Sequence, residues 1–186
     1  MMRSIRAMVL GTTLFLPFVA NAAMWEFAGG LNIEQSVAAG ATTVPPTYFG
    51  GGFVMATLDD VSGLFTWAYS FGGLSGPATV AHFHEAPAGS AGGVVLGVAS
   101  GGSSGTFSGS TTLAGLALDG AKTALTGDGT FSAGDITDWY LNIHSALNPA
   151  GELRGQLFVT SVVPIPAAIW MMISGLGALV GARRFI

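Results

Sequence analysis

The residues best equipped for chemistry fall in three short stretches. They are His82-Phe83-His84, Asn142-Ile143-His144 and Glu152-Leu153-Arg154-Gly155-Gln156, and together they hold all three histidines of the chain. In an extended strand, residues i and i+2 share a face. His82 and His84 therefore project together, with Phe83 on the opposite side. Asn142 and His144 pair in the same way, as do Glu152, Arg154 and Gln156. If the three strands meet, one polar cluster forms from His82, His84, His144, Glu152 and Arg154.

Three kinds of chemistry are open to such a cluster. The first is a hydrogen-bonded polar network of Asn142, Glu152, Arg154 and Gln156, with Glu152 paired to Arg154 or to a histidine. The second is a metal site, since three imidazoles suit Cu or Zn. Glu85 or Glu152 would then be a fourth ligand or an outer partner. The third is catalysis at a mononuclear copper. Other templates find little support. There is no cysteine, so no thiolate ligand, disulfide or cysteine nucleophile exists. No G-x-S-x-G elbow and no phosphate-cradling loop occurs. Gly127-Asp128-Gly129-Thr130 hints at a calcium turn but lacks the acidic ligands of one. Lys and Arg number only 6 and form no patch, which speaks against nucleic acid. No catalytic residue is assigned, and a non-enzymatic role is expected.

The elements that must position these residues read as short strands. Residues 53–58, 64–71, 80–84, 93–98, 140–144 and 152–159 are apolar or alternating, rich in β-branched and aromatic residues, and bounded by Gly, Asp or Pro. Residues 101–109 read as a Gly/Ser loop or weak hairpin. Helical pattern is nearly absent, apart from one possible turn in 132–138, where Ser132 precedes Asp135 by three residues. The fold class expected is all-β, an antiparallel Greek-key-like β-sandwich.

Three stretches, in order, resemble the CHRD domain, named for chordin. Ala81-His82-Phe83-His84-Glu85-Ala86-Pro87-Ala88 is similar to its Ala-His-Ile-His-Gly-Pro-Ala motif. Asn142-Ile143-His144-Ser145, followed by Asn148-Pro149-Ala150-Gly151-Glu152-Leu153-Arg154-Gly155-Gln156, is similar to its second and longer motif. Val44-Pro45-Pro46 fits the family's early Val-Pro-Pro. Glu85 and Ala150 stand where the family usually has glycine. The resemblance implies an extracellular adhesion-like or matrix-like module of β-sandwich fold. The His-x-His strand is also similar in pattern to copper-zinc superoxide dismutases. With three histidines and no cysteine, a bridged two-metal centre is not expected.

Both ends of the chain read as address labels. Arg3 and Arg6, the apolar residues 7–20 and Ala20-Asn21-Ala22 make a signal peptide, with cleavage expected after Ala22 or Ala23. Val163, Pro164, Ile165 and Pro166, then an uncharged stretch to 182, then Arg183 and Arg184, resemble a PEP-CTERM sorting signal. Ile165 replaces the usual glutamate. The stretch is just long enough for a transmembrane helix, and the two arginines would stay on the cytoplasmic side.

The resemblance implies the Sec translocon and an exosortase-type enzyme as processing partners, and an exopolysaccharide-producing Gram-negative host. Without both ends, Lys122 and Arg154 face ten carboxylates, a net charge of −8. The expected organisation is a signal peptide at 1–23, a CHRD domain at 24–162 and a sorting tail at 163–186. The expected role is an exported surface or matrix protein, with exopolysaccharide as a possible partner. The alternative is a Cu or Zn protein centred on His82, His84 and His144.

Overall fold

The computed structural model describes residues 22–40 and 49–164. In chain order these form β1 (Ala23–Asn32), α1 (Ile33–Ala38), β2 (Gly51–Asp59), β3 (Leu64–Gly72), β4 (Ala78–Glu85), β5 (Gly93–Val98), β6 (Gly105–Thr112), α2 (Leu116–Thr126), β7 (Ile136–Ser145) and β8 (Leu153–Pro164). The fold is all-β in character, as the alternating runs require. All strand pairs among the described residues are antiparallel, in one sheet of order β5-β4-β7-β8-β1-β2-β3-β6.

The expected sandwich is realised as one continuous sheet that curls over itself, nearly a barrel. The ring of Phe65 on β3 lies 5.4 Å from Phe83 on β4 and 5.4 Å from Trp139 on β7. Strands far apart in the sheet order therefore face each other across a shared core. Phe27, Val54, Leu58, Phe65, Phe83, Leu141, Ile143, Leu153 and Leu157 line that core and are essentially inaccessible. Each such side chain contributes roughly 1.5–3 kcal/mol by leaving water. The link from β3 to β4 crosses from one end of the sheet order to the other, which gives the Greek-key character.

Several local expectations are corrected. Residues 116–126 form a helix where little helical pattern was expected. α2 has 11 residues and turns Ala121, Ala124 and Leu125 inward, then stops at Gly127 in the left-handed conformation. Its apolar face is built of alanines, a weak periodic signal. Residues 105–112 are a full strand rather than a loop. β6 uses glycine and serine so that Trp67 can lie against it; a Cβ on Gly109 would sit 2.6 Å from the Trp67 ring. In 132–138 there is no helix: residues 132–135 form a turn, with Ser132 N–H donating to the Asp135 carboxylate at 2.7 Å, and 136–138 begin β7. β1 was not foreseen as a strand. It pairs with both β2 and β8, and its first backbone N–H, that of Ala23, donates to Asp60 Oδ1 at 2.9 Å.

Val163 and Pro164 pair with Met24 and Ala23, so these two residues of the sorting motif belong to β8. Ile165, Pro166, Arg183, Arg184, the expected signal peptide through residue 21 and the Val44-Pro45-Pro46 motif lie outside the described residues. No helix among the described residues is long and apolar enough to cross a membrane.

Candidate metal centre

Register decides which side chains meet. Across β4 and β7, His82 lies opposite Asn142, His84 opposite Tyr140 and Val80 opposite His144. Across β7 and β8, Asn142 lies opposite Arg154 and Tyr140 opposite Gln156. Directly opposed residues of an antiparallel pair share a face. One face of this three-stranded patch therefore carries His82, His84, His144, Asn142, Tyr140, Arg154 and Gln156. The other face carries Phe83, Leu141, Ile143 and Leu153 into the core. The i, i+2 reading of the sequence is correct for both histidine-bearing strands.

The polar face is covered, not bare. His84 and His144 are each 7% exposed, Asn142 4% and Arg154 2%. The coverings are the β4–β5 and β7–β8 connections. Arg154 holds the first, donating from Nη1 to the Ser90 carbonyl and from Nη2 to the Pro87 carbonyl at 3.2 Å. Gln156 Nε2 adds the Ala86 carbonyl at 3.0 Å, and the Gly92 N–H donates to Tyr140 Oη at 3.0 Å. Asn142 Nδ2 holds the second connection through the Ala150 carbonyl at 3.1 Å. Gly151 there has φ +126°, and a Cβ on it would fall 2.2–2.6 Å from the Asn142 amide. Only glycine fits both the conformation and the space.

Backbone carbonyls fix the protonation of two rings. A carbonyl only accepts, so His84 Nδ1–H donates to Gly92 O at 3.0 Å and His144 Nδ1–H to Pro149 O at 2.9 Å. Each Nε2 of the neutral ring is then an unprotonated lone pair. His144 Nε2 lies 3.4 Å from His82 Nδ1. His84 Nε2 is buried and has no hydrogen-bond partner among the described residues.

Burial lowers the pKa of both His84 and His144, against the raising effect of their carbonyl partners. The neighbouring histidines push the same way as burial, and Arg154 does so at His84. Both rings are thus held neutral, the form a metal requires.

Spacing fits one ion. A ring nitrogen from each histidine lies within 4.8 Å of one from each of the others. Two imidazoles on a tetrahedral ion at 2.0–2.1 Å bonds have nitrogens about 3.3 Å apart, and at most about 4.2 Å apart on any single ion. The 3.4 Å pair already meets the tetrahedral value. The widest spacing the cluster allows, 4.8 Å, would have to close by about 1.5 Å to reach the tetrahedral value, by rotation of the side chains.

The expected polar cluster divides in two. Glu152 does not join the histidines or Arg154. Its carboxylate, fully buried, accepts from Ser75 N–H at 2.6 Å, Ser75 Oγ at 2.7 Å, Asn148 Nδ2 at 3.1 Å and Ser145 Oγ. Burial alone raises its pKa, but these four donors outweigh it and hold the carboxyl below its ordinary value. Glu85 also stays away, taking the Trp139 Nε1–H at 3.1 Å on the core-facing side. Neither carboxylate serves as the fourth ligand that the sequence suggested.

The sequence profile of the CHRD domain matches residues 34–157, two thirds of the chain and every residue of this site. The chain belongs to the CHRD domain family. Comparison with curated proteins and with solved structures gave no match. The CHRD family is one of extracellular or secreted domains.

In this CHRD domain, sequence reasoning missed Tyr140. It is 2% exposed, stacks on His84 with ring centres 5.2 Å apart, and carries the Arg154 guanidinium 3.4 Å above its own ring. Extending the Asn142–His144 alternation back by two residues would have found it. Ser75, 77 residues from Glu152, left no local signal.

Proposed function

We propose that this CHRD domain is an exported, non-enzymatic metal-carrying module that binds one Cu or Zn ion through His82, His84 and His144. The observation that carries the reading is His84 Nε2. It is a buried lone pair, fixed by the Gly92 bond and without a partner among the described residues. Leaving such an acceptor unmade costs about 1–3 kcal/mol. A coordinated ion removes that cost and accounts for the two backbone carbonyls that orient the rings, an arrangement typical of metal-bound histidine. Asn142 Oδ1, also buried and without a hydrogen-bond partner among the described residues, is a neutral oxygen on the same face.

The test is metal content of the full-length chain, purified in detergent without chelator or affinity histidines. About one Cu or Zn per chain is expected, lost when any one of the three histidines becomes alanine. A folded chain with no bound ion after reconstitution overturns the reading and leaves a structural polar face.

The destination is supported by the two ends of the sequence and by the extracellular character of the family. We propose export through the Sec translocon, removal of residues 1–22 or 1–23, and recognition of the Val163–Arg184 tail by an exosortase-type enzyme. The mature domain would then act at the cell surface or within exopolysaccharide. The mass of the protein recovered from its host distinguishes a cut tail from a retained one.

A further inference from the structure

Charge around the site discriminates among candidate ions. The available donors are neutral: three imidazoles and the Asn142 amide oxygen. The two carboxylates that the sequence offered as further ligands are committed elsewhere, Glu85 to the Trp139 indole and Glu152 to Ser75, Ser145 and Asn148. Arginine, in contrast, is always protonated. Arg154 is 2% exposed, and the groups that accept from it are the neutral carbonyl oxygens of Ser90, Pro87 and the Gln156 amide.

The guanidinium is fixed in relation to the histidines. It lies 3.4 Å over the Tyr140 ring, whose centre is 5.2 Å from that of His84 in a near-parallel stack. A permanent, buried positive charge therefore stands behind one of the three ligands, with no anion among its hydrogen-bond partners.

We infer that the centre is built for a monovalent cation, Cu(I), and disfavours Zn(II) and Cu(II). The inference rests on the three-histidine reading above and adds the charge of the ion to it. A divalent ion bound to neutral ligands brings two positive charges beside Arg154; Cu(I) brings one. At an effective dielectric of about 20, each unit charge at about 10 Å from a second changes a binding constant by about fifteenfold. Arg154 thus costs a divalent ion about fifteenfold more than it costs Cu(I). Selection comes from charge and not from ligand softness, because the donors named are imidazole nitrogens and an amide oxygen, with no sulfur among them.

Competition titrations of the full-length chain test this. Cu(I) is presented anaerobically against a chromogenic Cu(I) chelator, and Zn(II) against a zinc indicator. Cu(I) is expected to bind at least tenfold more tightly than Zn(II). Arg154→Met is expected to shift the Cu(I):Zn(II) affinity ratio toward zinc by about fifteenfold, while Arg154→Lys keeps the wild-type ratio. Circular dichroism checks folding of both variants. If Arg154→Met does not fold, the wild-type ratio still decides. Zinc binding as tight as Cu(I) binding overturns the inference and leaves the three-histidine site standing. So does an unchanged ratio in a folded Arg154→Met chain. Binding of neither ion overturns the site itself.

Discussion

Removing the Glu152 carboxylate, which makes no hydrogen bond to a histidine, should destabilise the domain severely. The side chain is inaccessible and gathers donors from three places: Ser75 in the β3–β4 connection, Ser145 at the end of β7, and Asn148 in the β7–β8 connection. Hydrogen bonds to a charged acceptor are worth roughly 1.5–3 kcal/mol each, but bonds sharing one acceptor group do not add. For Glu152→Ala we expect about 4 kcal/mol, since buried donors lose their common acceptor and a void is left.

Glu152→Gln keeps the shape but puts an NH2 where one oxygen was. If its oxygen faces the two hydroxyls and Asn148, its NH2 meets the Ser75 N–H, a donor against a donor. About 2–3 kcal/mol is expected. The pH dependence is a second handle. The folded pKa lies below the ordinary 4.5, so the carboxylate's contribution is complete above that value and fades as pH falls through the folded pKa. The gap between wild type and Glu152→Gln should therefore narrow in acid.

Urea unfolding of the full-length chain at pH 7 and at successively lower pH measures both effects, provided the slope with denaturant is unchanged. A loss below about 1 kcal/mol for Glu152→Ala, or a gap that stays constant into strong acid, would refute the argument that this carboxylate ties the three segments together.

Three further outcomes are expected. Gly151→Ala forces a side chain into the Asn142 amide at φ +126°, and should cost about 2–4 kcal/mol in the same unfolding assay, more than an exposed-loop glycine would. Tyr140→Phe leaves the Gly92 N–H without its acceptor and loosens the segment whose carbonyl orients His84. A loss of about 1–2 kcal/mol is expected, with metal affinity weakened up to about tenfold. With metal removed by chelator, stability should fall as pH drops below about 6.5. Burial holds His84 and His144 below that value in the fold, so the unfolded chain takes up more protons there. The slope approaches about 1.4 kcal/mol per pH unit for each ring, levels off below the folded pKa values, and should shrink in His84→Ala.

Period-two alternation carried most of what was legible beforehand. It placed His82 with His84 and Asn142 with His144, and it sent Phe83 to the core, because a strand's side-chain period leaves no choice. It also grouped Glu152 with Arg154, and there it failed. Where a long side chain ends is set by its partners, and Ser75 was brought to Glu152 by a crossing of the sheet that no local pattern reports. α2 escaped for a different reason. Its buried stripe is mainly alanine, so contrast between its faces is low, and its glycine at position 120 argues against a helix. β6 escaped because strand propensity measures side-chain packing, and Gly109 serves the sheet by having no side chain under Trp67.

The proposed metal centre has a bearing on when the domain would acquire an ion. His82 and His144 are 62 residues apart, and Arg154 reaches back 64 and 67 residues to Ser90 and Pro87. Such distant pairings form late, because the chain entropy lost in closing a long loop precedes any gain from the contacts. β7 and β8 also leave a ribosome or a membrane pore after β1 to β6. A nascent or threaded chain therefore offers at most the His82–His84 pair, a weak two-point ligand. On the three-histidine proposal, ion capture would report completed folding and be confined to whichever compartment the finished domain first occupies.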